Sequence, residues 1–207
     1  MNPYLCFMFK ISREPLIGIS NLISNFFNPI TSLFLFFVYS SIENYTLKES
    51  IARFIPLFFI TILPISIWIF WNVKKGNYTN MDVSNRNQRK SLYFFIAAAI
   101  LAYLLYDYLK NDAVDLIVVF LMVLLLVMQI SNYFIKSSMH TAFNVFVAAL
   151  FFAVHSGMGI FWFGIAILVG ISRIILKRHT VQEVIAGAAI ASFVSFIYLY
   201  THIQIQH

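Results

Sequence analysis

Cysteine is nearly absent from this chain, and so is charge. Cys6 is the single cysteine among 207 residues, which excludes an intrachain disulfide framework and a multi-thiolate metal site. Charged residues make up only 11% of the sequence, too few to cover the surface of a water-soluble fold. Acid is scarcer than base: 8 Asp and Glu stand against 14 Lys and Arg, for a formal net charge of +6. The N-terminus MNPYLCFMFKISREP lacks the basic start, apolar run and small-residue cleavage site of a signal peptide, so the first helices are expected to serve as the insertion signal. Internal repeats and low-complexity linkers are also missing.

What the chain has is apolar bulk. With 61% hydrophobic and 18% aromatic residues, it calls for a bilayer as solvent. A spanning helix takes about 20 mostly apolar residues, and apolar runs between charged breaks predict spans near 51–71, 91–109, 114–134, 140–155, 158–172 and 181–201. A seventh is expected within residues 16–42, where Asn28-Pro29 either kinks one long helix or separates an interfacial segment from a short span starting at Pro29. The expected fold is therefore all-α, a polytopic transmembrane helix bundle of six core spans plus this N-terminal one. The spans at 140–155 and 158–172 are short for a bilayer, which predicts shelter by neighbours or an end in a polar cavity.

Parity over seven spans puts the N-terminus, 72–90, 135–139 and 173–180 on one face. That face carries Lys10, Arg13, Lys74, Lys75, Arg86, Arg89, Lys90, Lys136, Arg173, Lys177 and Arg178, against Lys48, Arg53 and Lys110 opposite. The positive-inside rule makes the first face cytoplasmic, although an anion-binding site would draw arginines there too. A basic excess points to anionic lipid headgroups or an anionic substrate. Nucleic acid is the least favoured partner, because so little surface is solvated.

The same three loops hold the concentrated polar residues, reading MDVSNRNQRK at 81–90, KSSMH at 136–140 and SRIILKRHTVQEV at 172–184. His179 and Glu183 are four apart at a helix start, so the carboxylate can accept from the ring and fix its tautomer. The other ring nitrogen is then free to attack or to take a proton. Arg173 ends the preceding helix, where its guanidinium suits phosphoryl oxygens. His140 is a second imidazole on the same face, and two histidines permit a nucleophile and a general acid. Arg86 and Arg89, one turn apart if helical, add positive charge.

The plainer expectation for any one Arg or Lys at a helix end is snorkelling to lipid headgroups. Coincidence of spacing and sidedness lifts His140, Arg173, His179 and Glu183 above it. Asp82 is expected to order the basic loop by pairing with Arg86. Asn144 is expected to hydrogen-bond within the bundle, and Asp107, Asp112 and Asp115 to cap or stay solvated at a tight turn. His155, His202 and His207 receive no role.

Ser172-Arg173-x5-His179-x3-Glu183 resembles the third signature, S-R-x5-H-x3-D, of the type 2 phosphatidic acid phosphatase and vanadium haloperoxidase superfamily. Ser137-Ser138-Met139-His140 resembles the second, P-S-G-H, in serine and histidine only. The segment Asp82 to Arg89 resembles the first, K-x6-R-P, with Asp82 in the lysine position, Arg89 in the arginine position and Lys90 in place of proline. The resemblance covers roughly residues 51–201. It implies a phosphatase-like membrane domain over 51–207, preceded by an interfacial segment and first span over 1–50.

The resemblance further implies His179 as a nucleophile forming phosphohistidine, Glu183 orienting it, and His140 protonating the leaving group. Arg173 and Arg89, with Ser138 nearby, would bind phosphate, and Arg86 or Lys136 would replace the lysine missing at Asp82. The expected function is metal-independent and cofactor-free hydrolysis of a lipid phosphate monoester or diphosphate, such as phosphatidate, phosphatidylglycerol phosphate or a polyprenyl diphosphate, in a cell (inner) membrane. Two other expectations stand beside it, a catalytically silent headgroup binder or carrier and a lipid phosphotransferase.

Overall fold

The computed structural model describes residues 13–83 and 85–206. Lys10, Cys6, Ser84 and His207 lie outside the described residues. The described residues form an all-helical bundle: α1 Arg13–Phe26, α2 Pro29–Asn44, α3 Leu47–Leu57, a π-helical turn Phe58–Ile62, α4 Leu63–Lys74, α5 Arg86–Asn111, α6 Leu116–Ser131, α7 Met139–Val154, α8 Ser156–Ile175 and α9 Val181–Gln206.

Each apolar run predicted from sequence is occupied by a helix. Four of them are long and apolar enough to cross a membrane: the continuous α3–π–α4 helix, α5, α8 and α9. The α1–α2 pair, bent by 58°, is a fifth if counted as one broken span. The bend falls at Asn28-Pro29, where the sequence predicts a kink or a break. Asn28 caps α2 by accepting from the N–H groups of Ile30 and Thr31, and Pro29 occupies the first turn, where its missing N–H costs nothing.

Helices α6 and α7 have 16 residues each, about 24 Å at 1.5 Å per residue, short of a hydrocarbon core of about 30 Å. In α7 the shortfall has a visible counterpart. Its residues from His140 to Phe151 are buried without interruption, with α2, α8 and α9 packed around it. A helix that is apolar on all sides and enclosed by others is the centre of a bundle. Large apolar side chains such as Phe94, Leu109, Phe161 and Phe196 lie instead on the outside, as a lipid-facing surface requires.

Three connections converge at one end of this centre. The loop from α4 to α5 is folded onto its helices by the Tyr78 hydroxyl, which accepts from Trp68 Nε1 at 3.1 Å and lies 2.9 Å from Ser91 Oγ. The strap before α7 is tied to α9 by Ser138 N–H donating to the Glu183 carbonyl at 2.9 Å. The turn from α8 to α9 is a Schellman-type close: Lys177, at φ 54°, donates to the Ile174 carbonyl and Arg178 N–H to the Arg173 carbonyl. That reversal brings His179 back beside the end of α8.

Candidate active site

His179 Nδ1 and Glu183 Oε2 are 2.8 Å apart. The carboxylate is itself fixed, because Thr180 and Glu183 form a reciprocal cap at the start of α9: Thr180 N–H donates to Glu183 Oε2 at 3.2 Å and Glu183 N–H donates to Thr180 Oγ1 at 3.3 Å. One oxygen therefore anchors both the helix start and the imidazole. With Nδ1–H donating to the carboxylate, the lone pair resides on Nε2. Arg89 Nη2 lies 3.5 Å from that nitrogen.

Burial pushes the His179 imidazole down to about 4, and the Arg89 charge acts in the same direction against the Glu183 hydrogen bond, which raises it. At neutral pH the ring is uncharged, the state a nucleophile or base needs.

Arg89 is buried in the first turns of α5. Its Nε donates to the Val83 carbonyl at 3.0 Å and Nη1 to the Ser137 carbonyl at 3.1 Å, so one guanidinium joins all three connections. Val83, fully buried, holds φ at 44°, a left-handed conformation costly for a β-branched residue. That conformation belongs to the carbonyl that receives Arg89.

Arg173 is 1% exposed. Its Nη1 donates to Ser24 Oγ at 2.9 Å and to Asp82 Oδ2 at 3.0 Å, while Nε and Nη2 have no hydrogen-bond partner among the described residues. Those two atoms form the edge that grips two oxygens of a phosphate or carboxylate side by side.

The expected Asp82–Arg86 pair is not formed. Asp82 Oδ2 pairs with Arg173 and, at 3.5 Å, with Arg178. Arg86 turns toward Asn132, its Nε donating to the Asn132 carbonyl, and Asn132 Nδ2 returns a bond to the Arg86 carbonyl at 3.2 Å. Asp82 is drawn by two guanidinium groups fixed by α8 and its closing turn, a stronger field than one Arg on its own loop. Burial alone would raise the Asp82 carboxyl, but the neighbouring His140, Arg173 and Arg178 outweigh it and hold it below its ordinary value.

His140 is buried in the first turn of α7 and within electrostatic reach of Arg173, Asp82, Arg89 and His179. Ser138 caps α7, its Oγ accepting from Thr141, and Lys136 Nζ donates to the Arg178 carbonyl at 3.3 Å. A cavity of about 320 Å³ opens at the turn from α8 to α9, lined by Lys136, Ile174, Lys177, Arg178, His179, Thr180 and Glu183.

No family model, curated protein or solved structure matches this chain.

Of the residues singled out from sequence, His179, Glu183, Arg173, Arg89, His140, Ser138 and Lys136 come together, and Arg86 is directed elsewhere. Sequence reasoning missed Ser24, Arg178 and Thr180. Thr180 carried a signal, since T-x-x-E is a capping box. Ser24 carried none. Asn144 fulfils its expectation, donating to the Phe27 carbonyl at 2.9 Å and the His140 carbonyl at 2.8 Å and accepting from Ser32 at 3.0 Å. Asp115 caps α6. His155, given no role from sequence, caps α8 through its ring.

Proposed function

We propose that this chain is a multi-pass membrane enzyme that hydrolyses a lipid phosphate monoester or diphosphate through a phosphohistidine. The observation that carries the reading is the chain of contacts from Glu183 through His179 to Arg89, joined by the buried Arg173, whose Nε and Nη2 have no partner among the described residues. The resemblance of the three segments to the type 2 phosphatidic acid phosphatases supports it. In this reading α6 and α7 count as spans along with the bent α1–α2 pair, giving seven, and the basic loops lie on the cytoplasmic side of a cell membrane.

His179 Nε2 attacks phosphorus, and the bond to the lipid oxygen breaks as His140 delivers a proton to it. Glu183 stabilises the charge that develops on the His179 ring. Arg173 and Arg89 hold the non-bridging oxygens, whose charge dominates the transition state of phosphoryl transfer. Water then attacks the phosphohistidine, giving up its proton to His140, and inorganic phosphate leaves with His179 restored.

One observation favours a second reading, a headgroup binder without turnover: Asp82 already occupies part of Arg173 and Arg178. Phosphate release by purified protein from phosphatidate, phosphatidylglycerol phosphate and a polyprenyl diphosphate separates the two. The phosphatase reading expects release from at least one lipid and its loss in a folded His179→Ala variant. Binding without release selects the silent binder, and release that survives His179→Ala rejects the phosphohistidine route.

A further inference from the structure

Arg173 is a costly residue to bury. Its five N–H groups need acceptors, and each one left unpaired in a dry interior costs about 1–3 kcal/mol. The acceptors are distributed unevenly. Ser24 Oγ and Asp82 Oδ2 both take Nη1, which has two hydrogens, while the edge formed by Nε and Nη2 receives none among the described residues. Acceptors that served only to offset burial would be spread around the group.

We propose that Ser24 and Asp82 are positioning residues that lock the Arg173 guanidinium by its Nη1 corner and so present the Nε–Nη2 edge to substrate oxygens. This inference rests on the phosphatase reading and extends it to residues outside that reading's machinery. It makes the N-terminal helix pair part of the site. It also gives Asp82 a purpose in the place where the resembling signature has lysine: an orienting counter-ion in place of a phosphate ligand.

The placement of Ser24 is itself secured. Ser24 is 1% exposed on α1, one turn before the bend, and α1 packs on α8. Asn144 bonds the Phe27 carbonyl at the bend and the His140 carbonyl in the first turn of α7. A single amide therefore holds the α1–α2 corner in register with the turn that carries His140. Asp82 reaches the same Nη1 from the α4–α5 loop, so two acceptors from separate elements fix the guanidinium as one alone would not.

The test uses full-length protein in detergent and a lipid phosphate that wild type hydrolyses. KM, kcat and the inhibition constant of inorganic phosphate are measured for wild type, Ser24→Ala, Ser24→Thr and Asp82→Asn, with melting temperature as the folding control. A positioned Arg173 grips phosphate oxygens in ground and transition state alike, so Ser24→Ala should raise KM and the phosphate constant about tenfold with a much smaller change in kcat. Ser24→Thr, which keeps the hydroxyl, should recover most of the loss. Asp82→Asn should also weaken phosphate about tenfold, and it decides the matter if Ser24→Ala does not fold.

Unchanged phosphate affinity in Ser24→Ala overturns the proposal, as does tighter phosphate binding in Asp82→Asn, which would mean that Asp82 competes with substrate. A wild-type protein that neither releases nor binds phosphate removes the phosphatase reading and this inference with it. The two failures are thereby told apart.

Discussion

Gly187 sits against the backbone of Ser138. A Cβ added to Gly187 would fall 2.6 Å from the Ser138 carbonyl oxygen and 3.1 Å from its nitrogen. This contact lets α9 lie flush on the strap before α7, where Ser138 N–H reaches the Glu183 carbonyl. The two polar segments that carry His140 and His179 are thus held together by backbone, and a glycine is what allows it.

Gly187→Ala is therefore expected to cost about 1–3 kcal/mol through overpacking against atoms that cannot rotate away. Melting temperature in detergent checks this. Gly164→Ala is the control, because a Cβ there meets nothing within 4 Å and alanine favours the interior of α8, so its melting temperature should not fall.

Glu183→Gln keeps the size of the side chain and an acceptor oxygen but removes the charge facing His179. Turnover should fall by about 10²–10⁴-fold, the range associated with a positioned acid or base, while protein yield and melting change little because the cap with Thr180 survives. Steady-state phosphate release measures the first and a thermal melt the second.

Much of this was legible in the sequence. Every long apolar run became a helix, since periodicity and length are local properties, and the spacing of His179 and Glu183 was enough to place one beside the other. The partner of Asp82 was not legible, because the competing guanidinium groups are fixed by α8 and its closing turn, roughly ninety positions away in the chain. Nor was the docking of α1 on Arg173 through Ser24, a serine in a run that reads like any helical surface. Of the two spans expected to be short, 140–155 is so in α7, but 158–172 lies within α8, whose 20 residues are long enough to cross a membrane. The other short helix is α6, where turn residues Asn132 to Phe134 read as a continuation of the span but close it instead.

The two arginines at the head of α5 should separate cleanly. Arg86→Ala removes the bond from Arg86 Nε to the Asn132 carbonyl, while Asn132 Nδ2 keeps the Arg86 main-chain carbonyl, and is expected to lower stability by about 1 kcal/mol while leaving KM within about twofold of wild type. Arg89→Ala takes a guanidinium from beside His179 Nε2 and should reduce turnover by about 10²–10³-fold, as loss of a charge-stabilising donor does. Arg89→Ala also leaves the Val83 and Ser137 carbonyls without their donor, so both variants should melt lower, and steady-state kinetics, in which only Arg89→Ala loses turnover, tell them apart.

The depressed pKa of His179 has a definite sign. Its neutral form is favoured by the fold, so between the ordinary value of about 6.5 and about 4 the unfolded chain binds a proton that the folded chain refuses. Stability from this group is fully present above about pH 6.5 and is lost as pH falls toward 4. NMR titration of protein with ¹⁵N-labelled histidine should show an imidazole that remains neutral at pH 5 and is missing in His179→Ala.

The covalent intermediate is the most direct test. Purified protein mixed briefly with a ³²P-labelled lipid phosphate and quenched in alkali should retain label that survives base, is released by acid, and is absent from His179→Ala. Label that is equally present in His179→Ala, or phosphate turnover by wild type with no trappable protein-bound phosphate, would contradict His179 as the nucleophile.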